Sequence, residues 1–244
     1  MLVRDLRPQV KRGPRPLERV SRRMPDRARE ILLMRRMFGF WRGLTATVED
    51  RWRGIATETV IVPRGVTSGD DVHLYLPLAY GQARMVLRTL HPTSTDVIMD
   101  VGCGLGRVVA MAARHNARHV VGVECDPDIA ESARANMRRL PDGSSPTTIL
   151  TGDAADVDFS TVTIVVLFNP FGPTTMQTML ECLRQSIEAQ PRLVRIAYVN
   201  PTADSVLREC TWLTQTAATR SARFRYSVSF WQSVLPPSVV APPA

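Results

Sequence analysis

The sequence predicts an α/β fold, a doubly wound and mostly parallel sheet of seven strands closed by a C-terminal antiparallel hairpin. Three observations carry this. From Asp96 onward, short apolar runs alternate with amphipathic stretches. Several runs, such as Thr163-Ile-Val-Val-Leu-Phe168, are apolar almost throughout, as strands buried on both faces are. The last two strand-like segments follow one another with no helix between them, which an antiparallel pair requires.

Along the chain, residues 1–25 are rich in Arg and Pro and read as irregular. Asp26 reads as an N-cap, and Ile31, Leu33, Met34, Met37 and Phe38 follow at helical spacing. A second short helix is predicted over Thr45–Trp52, and Phe38, Phe40, Trp41 and Trp52 are expected to be buried by packing of this N-terminal helical extension on the main domain. Residues 56–74 read as strand or loop, with a turn at Ser68-Gly69-Asp70-Asp71. Residues 76–90 form a predicted helix with Tyr80, Ala83, Val86, Leu87 and Leu90 on one face. Strands are predicted at 97–101, 119–124, 147–151, 162–168 and 193–199, with helices at 106–115, 127–139, 174–188 and 202–209 between them. Segments 211–219 and 224–234 form the hairpin, and a Pro-rich tail follows from Pro236. The predicted organisation is a basic arm over 1–56, a catalytic domain over 57–235 and a tail over 236–244, without internal repeats.

Charge is unevenly distributed. Residues 1–54 hold 15 Lys and Arg against 6 Asp and Glu, for +9; residues 55–244 hold 16 against 17, for −1, so the net +8 comes from the N-terminal segment. A basic arm attracts phosphate or an acidic partner, although a solvated, Arg-enriched face produces the same count. The four cysteines, Cys103, Cys125, Cys182 and Cys210, form no C-x-x-C pair and the four His lie away from them, so no metal site is expected. Reduced thiols, the absence of an apolar run of membrane-spanning length and the absence of a secretory h-region fit a cytoplasmic bacterial protein without membrane partners.

The chemistry concentrates at strand ends. Asp100-Val-Gly102-Cys103-Gly104-Leu-Gly106-Arg107 follows an apolar strand and opens a helix. Glycines let the backbone turn sharply and a ligand approach closely. A dinucleotide loop, and with it a nicotinamide-dependent oxidoreductase, would place its third glycine where Arg107 stands. Asp100 is poorly placed for a pyrophosphate and well placed for a cation. Val120-Val-Gly-Val-Glu124 then ends in an acid that can accept from both hydroxyls of a ribose, followed by Cys125 and by Asp126-Pro127 as helix cap and first helical residue. Thr151-Gly-Asp153-Ala154 follows the third strand, where an Asp can accept from an exocyclic amine and the adjacent backbone N–H can serve a ring nitrogen. All three motifs fall at carboxyl ends of strands, where ligands bind in open α/β sheets.

The order Asp-x-Gly-x-Gly-x-Gly, Gly-x-Glu, Gly-Asp-Ala is similar to class I S-adenosylmethionine (SAM)-dependent methyltransferases over roughly residues 75–235, and five helix-linked strands with a terminal hairpin resemble their strand plan. The resemblance implies SAM as cofactor, with contacts from Asp100, Gly102, Cys103, Gly104 and Gly106, ribose contact at Glu124 and adenine contact at Asp153; Cys125 and Ala154 are further cofactor-binding candidates. Leu167-Phe-Asn169-Pro170-Phe171-Gly172 resembles the Asn/Asp-Pro-Pro-Tyr/Phe motif of N-methyltransferases, which implies that Asn169 borders both SAM and an acceptor nitrogen while Phe171 stacks on the substrate; here one proline replaces two. His73-Leu-Tyr75-Leu-Pro77-Leu-Ala-Tyr80-Gly81 is similar in placement to a segment of non-SET protein-lysine methyltransferases that closes over SAM.

The acceptor-side candidates are therefore Asn169, Phe171, Tyr75 and His73. A small molecule or a protein side chain, methylated at N or O, is the expected acceptor. A nucleic acid gripped through residues 1–54 and a non-catalytic SAM-binding module are the alternatives. Oligomeric state is not encoded in any pattern of the sequence.

Overall fold

The computed structural model describes residues 40–58, 76–219 and 225–234. Two helices come first, α1 (Phe40–Arg53) and α2 (Tyr80–Leu90). An alternating series follows: β1 (Val97–Val101), α3 (Arg107–Ala112) with a 3₁₀ turn (Ala113–His115), β2 (His119–Glu124), α4 (Pro127–Met137), β3 (Thr147–Thr151), β4 (Ile164–Phe168), α5 (Pro173–Ala189), β5 (Arg195–Val199) and α6 (Asp204–Glu209). The hairpin β6 (Leu213–Thr219) and β7 (Val228–Ser233) completes the sheet. Helix α1 is longer than the Thr45–Trp52 segment predicted, and α3 stops at Ala112 before tightening into the 3₁₀ turn. The Asp26 cap and the 68–71 turn lie outside the described residues.

The strand order is β3-β2-β1-β4-β5-β7-β6. β1 pairs in parallel with both β2 and β4, β5 pairs in parallel with β4, and β7 runs antiparallel between β5 and β6. The order reverses between β1 and β4, and such a switch point opens a crevice beyond the carboxyl ends of the strands. Because side chains alternate across a strand, β1 and β4 feed two cores. Ile98, Ile164 and Val166 face Val86 and Leu87 of α2 and Val109 of α3. Met99, Val101, Val165 and Leu167 face Met176, Met179, Leu180 and Leu183 of α5. The latter four recur at the i, i+3, i+4, i+7 spacing of a core-facing helix.

Helix starts follow local chemistry. The Asp126 carboxylate accepts from the N–H groups of Asp128 (2.9 Å) and Ile129 (3.1 Å), with Pro127 at the first helical position. The edge strands β3 and β6 are Thr-rich and largely exposed, and a bulge at Gln215/Ala217 irregularises β6.

The segment after α1 is tied to the sheet layer by buried polar side chains. Arg107, the first residue of α3, is only 3% exposed. Its Nε–H donates to Thr57 Oγ1 (2.7 Å), one terminal nitrogen to the Leu78 carbonyl (3.0 Å), and the other to the Asp50 and Glu58 carboxylates. The guanidinium lies 4.5 Å from the centroid of the Tyr80 ring, whose hydroxyl donates to Asp50. Asn136 of α4 makes a second tie: its Nδ2 donates to the carbonyls of Leu105 (2.9 Å) and Ala56 (3.1 Å). Trp52, by contrast, is 71% exposed. This corrects the expectation of burial. The Arg53 and Arg114 guanidinium groups each lie 5.4 Å from its ring centroid, so cations rather than core residues neighbour it.

Burial pushes the Glu58 carboxyl up, and only the Arg107 charge and hydrogen bond pull it back. Removing that cation leaves two acids uncompensated. Arg107→Met is expected to lower the unfolding free energy by about 3–5 kcal/mol in urea titrations. A loss under about 1 kcal/mol would mean that solvent screens the network.

Candidate functional site

The crevice at the switch point holds a cavity of about 280 Å³. Its floor is the turn after β1. There the Gly102 and Cys103 N–H groups both donate to the Val123 carbonyl (2.9 and 2.8 Å), which folds the loop back against β2. Gly102 has φ +72°, and a Cβ there would come within 2.6 Å of the Pro170 Cβ. Only glycine lets the β1 and β4 loops meet this closely.

Glu124 ends β2 in an ordered position. Gly104 N–H donates to its Oε2 (3.0 Å) and Asp126 N–H to its Oε1 (3.0 Å). Asp153 accepts from the Ala155 N–H (2.9 Å), a turn that presents residues 152–154 along the cavity rim. Asp100 differs from both. It is 3% exposed, it borders the cavity, and no described residue donates a hydrogen bond to it. Burial, and then the neighbouring Glu124 charge, push its carboxyl up to about 7. A buried acid without a donor, beside a second acid and open to a cavity, fits a cationic ligand. SAM carries an ammonium and a sulfonium. Burial also raises both thiols, Cys103 well above its usual range and Cys125 to about 11, so neither is a ready nucleophile.

Of the candidates read from the sequence, Asp100, Gly102, Cys103, Glu124, Cys125, Asp153, Ala154, Asn169 and Phe171 line the cavity together. Gly104 and Gly106 do not. Gly104 instead supplies the N–H that holds Glu124. Gly106 serves helix packing: with φ +81°, an added Cβ would lie 2.9 Å from Met137 Cε. That is the packing task a dinucleotide loop gives its third glycine, performed here one residue earlier, which frees the next position for the inward-facing Arg107. His73 and Tyr75 lie outside the described residues.

The wall of the cavity beyond the ends of β4 and β5 holds Phe168, Asn169, Pro170, Phe171, Asn200 and Tyr226. The rings of Phe168 and Tyr226 sit 5.1 Å apart, tilted by 58°. Sequence reading does not single out Asn200 or Tyr226. A signal for Asn200 exists: Asn200-Pro201 at the end of the fifth strand repeats the Asn169-Pro170 dipeptide at the end of the fourth. Tyr226 had none, because it reaches the site from the hairpin, across the antiparallel pairing of β7 with β5.

Comparison with known proteins agrees with this geometry. The family model for the ANTKMT methyltransferase domain matches residues 100–206. A protein-lysine N-methyltransferase from Saccharolobus islandicus is 31% identical over 96 residues, covering 38% of this chain and 58% of that protein. A ribosomal protein L11 methyltransferase from Dechloromonas aromatica is 37% identical over 143 residues, covering 53% of this chain and 47% of that protein. The chain thus spans about half the length of the curated relatives it matches. Among solved structures, an RNA methyltransferase from Salinibacter ruber, in complex with S-adenosyl-L-homocysteine, superimposes with a TM-score of 0.50 at 25% identity, over 65% of this chain and 94% of that one. No described helix is long and apolar enough to cross a membrane. The matches and the strand order agree: over residues 100–206 and in the plan of its sheet, the chain is similar to class I SAM-dependent methyltransferases.

Proposed function

We propose that this protein transfers the methyl group of SAM to an amine of a protein, a lysine-type side chain. The observation that carries the reading is the make-up of the acceptor wall. Among the described residues it offers amides and aromatic rings, with no carboxylate and no imidazole. Such a wall suits a neutral amine, which needs no catalytic base, and suits a hydroxyl poorly. The rings also favour the approach of a cationic side chain. The matches to a protein-lysine N-methyltransferase and to ribosomal protein L11 methyltransferases support a protein acceptor.

SAM, when bound, supplies a methyl group already activated on a positively charged sulfur. The chain's residues bind and orient. Asp100 faces the cationic part of the cofactor, Glu124 the ribose and Asp153 the adenine amine. Leu76, Pro77 and Leu78 cover the cavity, and Arg107 fixes that cover by its bond to the Leu78 carbonyl. Asn169 accepts from the attacking nitrogen, and Phe171 excludes water beside it.

Two outcomes follow. First, a cation binds the ionised form of Asp100, whereas the free protein keeps that carboxyl protonated up to about pH 7. SAM affinity should therefore fall about tenfold for each pH unit below 7, by calorimetric titration. Asp100→Asn should flatten the profile. The sign reverses for the free protein: its folded form binds a proton that the unfolded form has lost, so its stability declines as pH rises from the ordinary carboxylate range to about 7. Second, with methyl-tritiated SAM and an extract of source cells lacking this protein, acid hydrolysates should carry label in N-methylated lysine. Asn169→Ala should lower kcat/KM about tenfold or more while SAM affinity stays nearly constant. Label confined to RNA or to base-labile esters would contradict the reading.

A further inference from the structure

Two Asn-Pro dipeptides end adjacent parallel strands: Asn169-Pro170 follows β4 and Asn200-Pro201 follows β5. Phe168 and Val199, the residues just before the asparagines, are register partners, so both asparagines leave the sheet at one level. Both have positive φ, +42° at Asn169 and +52° at Asn200. That region is uncommon outside glycine, and it turns each side chain out of the strand direction. Both residues line the cavity.

A single residue links them. The Thr202 N–H donates to the Asn200 carbonyl (2.8 Å), and the Thr202 hydroxyl donates to Asn169 Oδ1. The Asn200 N–H donates in turn to the Ser227 carbonyl (2.9 Å). The Asn200 backbone is thus pinned on both sides, while its side-chain amide has no hydrogen-bond partner among the described residues. An asparagine kept only to close a turn commonly spends its amide on nearby backbone. This one leaves it in the cavity wall that Asn169 also lines, and the Asn169 oxygen retains a lone pair beside its bond from Thr202.

We propose that Asn200 is a second acceptor-binding and specificity-determining residue, which acts with Asn169 as a paired amide clamp on the nitrogen to be methylated. Two converging amide oxygens accept from a nitrogen that presents two or more N–H groups, as a primary amine or ammonium does; a hydroxyl can donate to only one of them. The clamp thereby selects amines. It rests on the amine reading above and extends it to a residue on the neighbouring strand. Thr202 is a positioning residue, since its hydroxyl sets the orientation of the Asn169 amide.

The test needs no knowledge of the acceptor. Sinefungin is a SAM analogue with an amine-bearing carbon in place of the methylsulfonium, so its amine probes the clamp, whereas S-adenosylhomocysteine has no group there. The wild-type protein should prefer sinefungin to S-adenosylhomocysteine. Asn200→Gly keeps the left-handed backbone and removes only the amide. It should cut that preference about tenfold while S-adenosylhomocysteine affinity stays within about twofold. Asn200→Asp, nearly isosteric, should raise the preference, and it carries the test should the glycine variant fail to bind S-adenosylhomocysteine. An unchanged preference, an equal loss for both ligands, or no wild-type preference would overturn the clamp. Lysine methylation with an Asn200-independent preference would refute the clamp alone. An Asn200-dependent preference without lysine methylation would refute only the protein-lysine reading.

Discussion

A buried acid with no internal counter-charge organises this structure. Asp100 stands near the end of β1, the central strand on which the sheet order reverses, beside Glu124 at the end of β2. Two carboxylates in a low-dielectric site repel one another, and no described residue donates a hydrogen bond to Asp100. Protonation relieves the cost of such burial, and it is the direction in which burial and the Glu124 charge push this carboxyl. Everything around it serves access: the glycine turn keeps side chains out of the floor, Gly104 fixes Glu124, and the β4 loop closes against Gly102.

The second constraint comes from outside the sheet. Arg107 and Asn136 join residues 50–58 to the back of the glycine loop, and Arg107 also holds the Leu78 carbonyl of a segment that lines the cavity. Residue 78, the glycine loop and residues 50–58 therefore share one hydrogen-bonded network. A single arginine at the start of α3 ties the cavity-lining residue Leu78 to the glycine loop, while its neighbour Gly106 packs α3 onto α4.

Sequence periodicity revealed the sheet because the strands between helices are buried on both faces and the helices carry regular apolar stripes; Met176, Met179, Leu180 and Leu183 are one such stripe. The cofactor side was legible for a related reason, since strand-end acids and glycines are local signals tied to the chain that carries them. Arg107 was legible only as a departure from a dinucleotide loop. Its partners Asp50, Thr57 and Glu58 lie 49 to 57 residues away, and no local pattern encodes such a pairing. Trp52 reads as a core aromatic by type, yet cations flank it at the surface. The cavity wall proposed to receive the acceptor was the least legible part, because Asn169, Asn200 and Tyr226 come from three strands or strand ends and converge only through sheet register.

We infer that the Asp100 carboxyl holds a proton until a cationic cofactor binds, and carbon-13 NMR of a protein carrying carboxyl-labelled aspartate observes that group directly. In the free protein one aspartate resonance, absent from Asp100→Asn, should titrate near pH 7. Saturation with S-adenosylhomocysteine, which brings an ammonium, should return its midpoint toward the ordinary carboxylate range. An ordinary midpoint in the free protein, or a midpoint that the ligand leaves in place, would contradict the account.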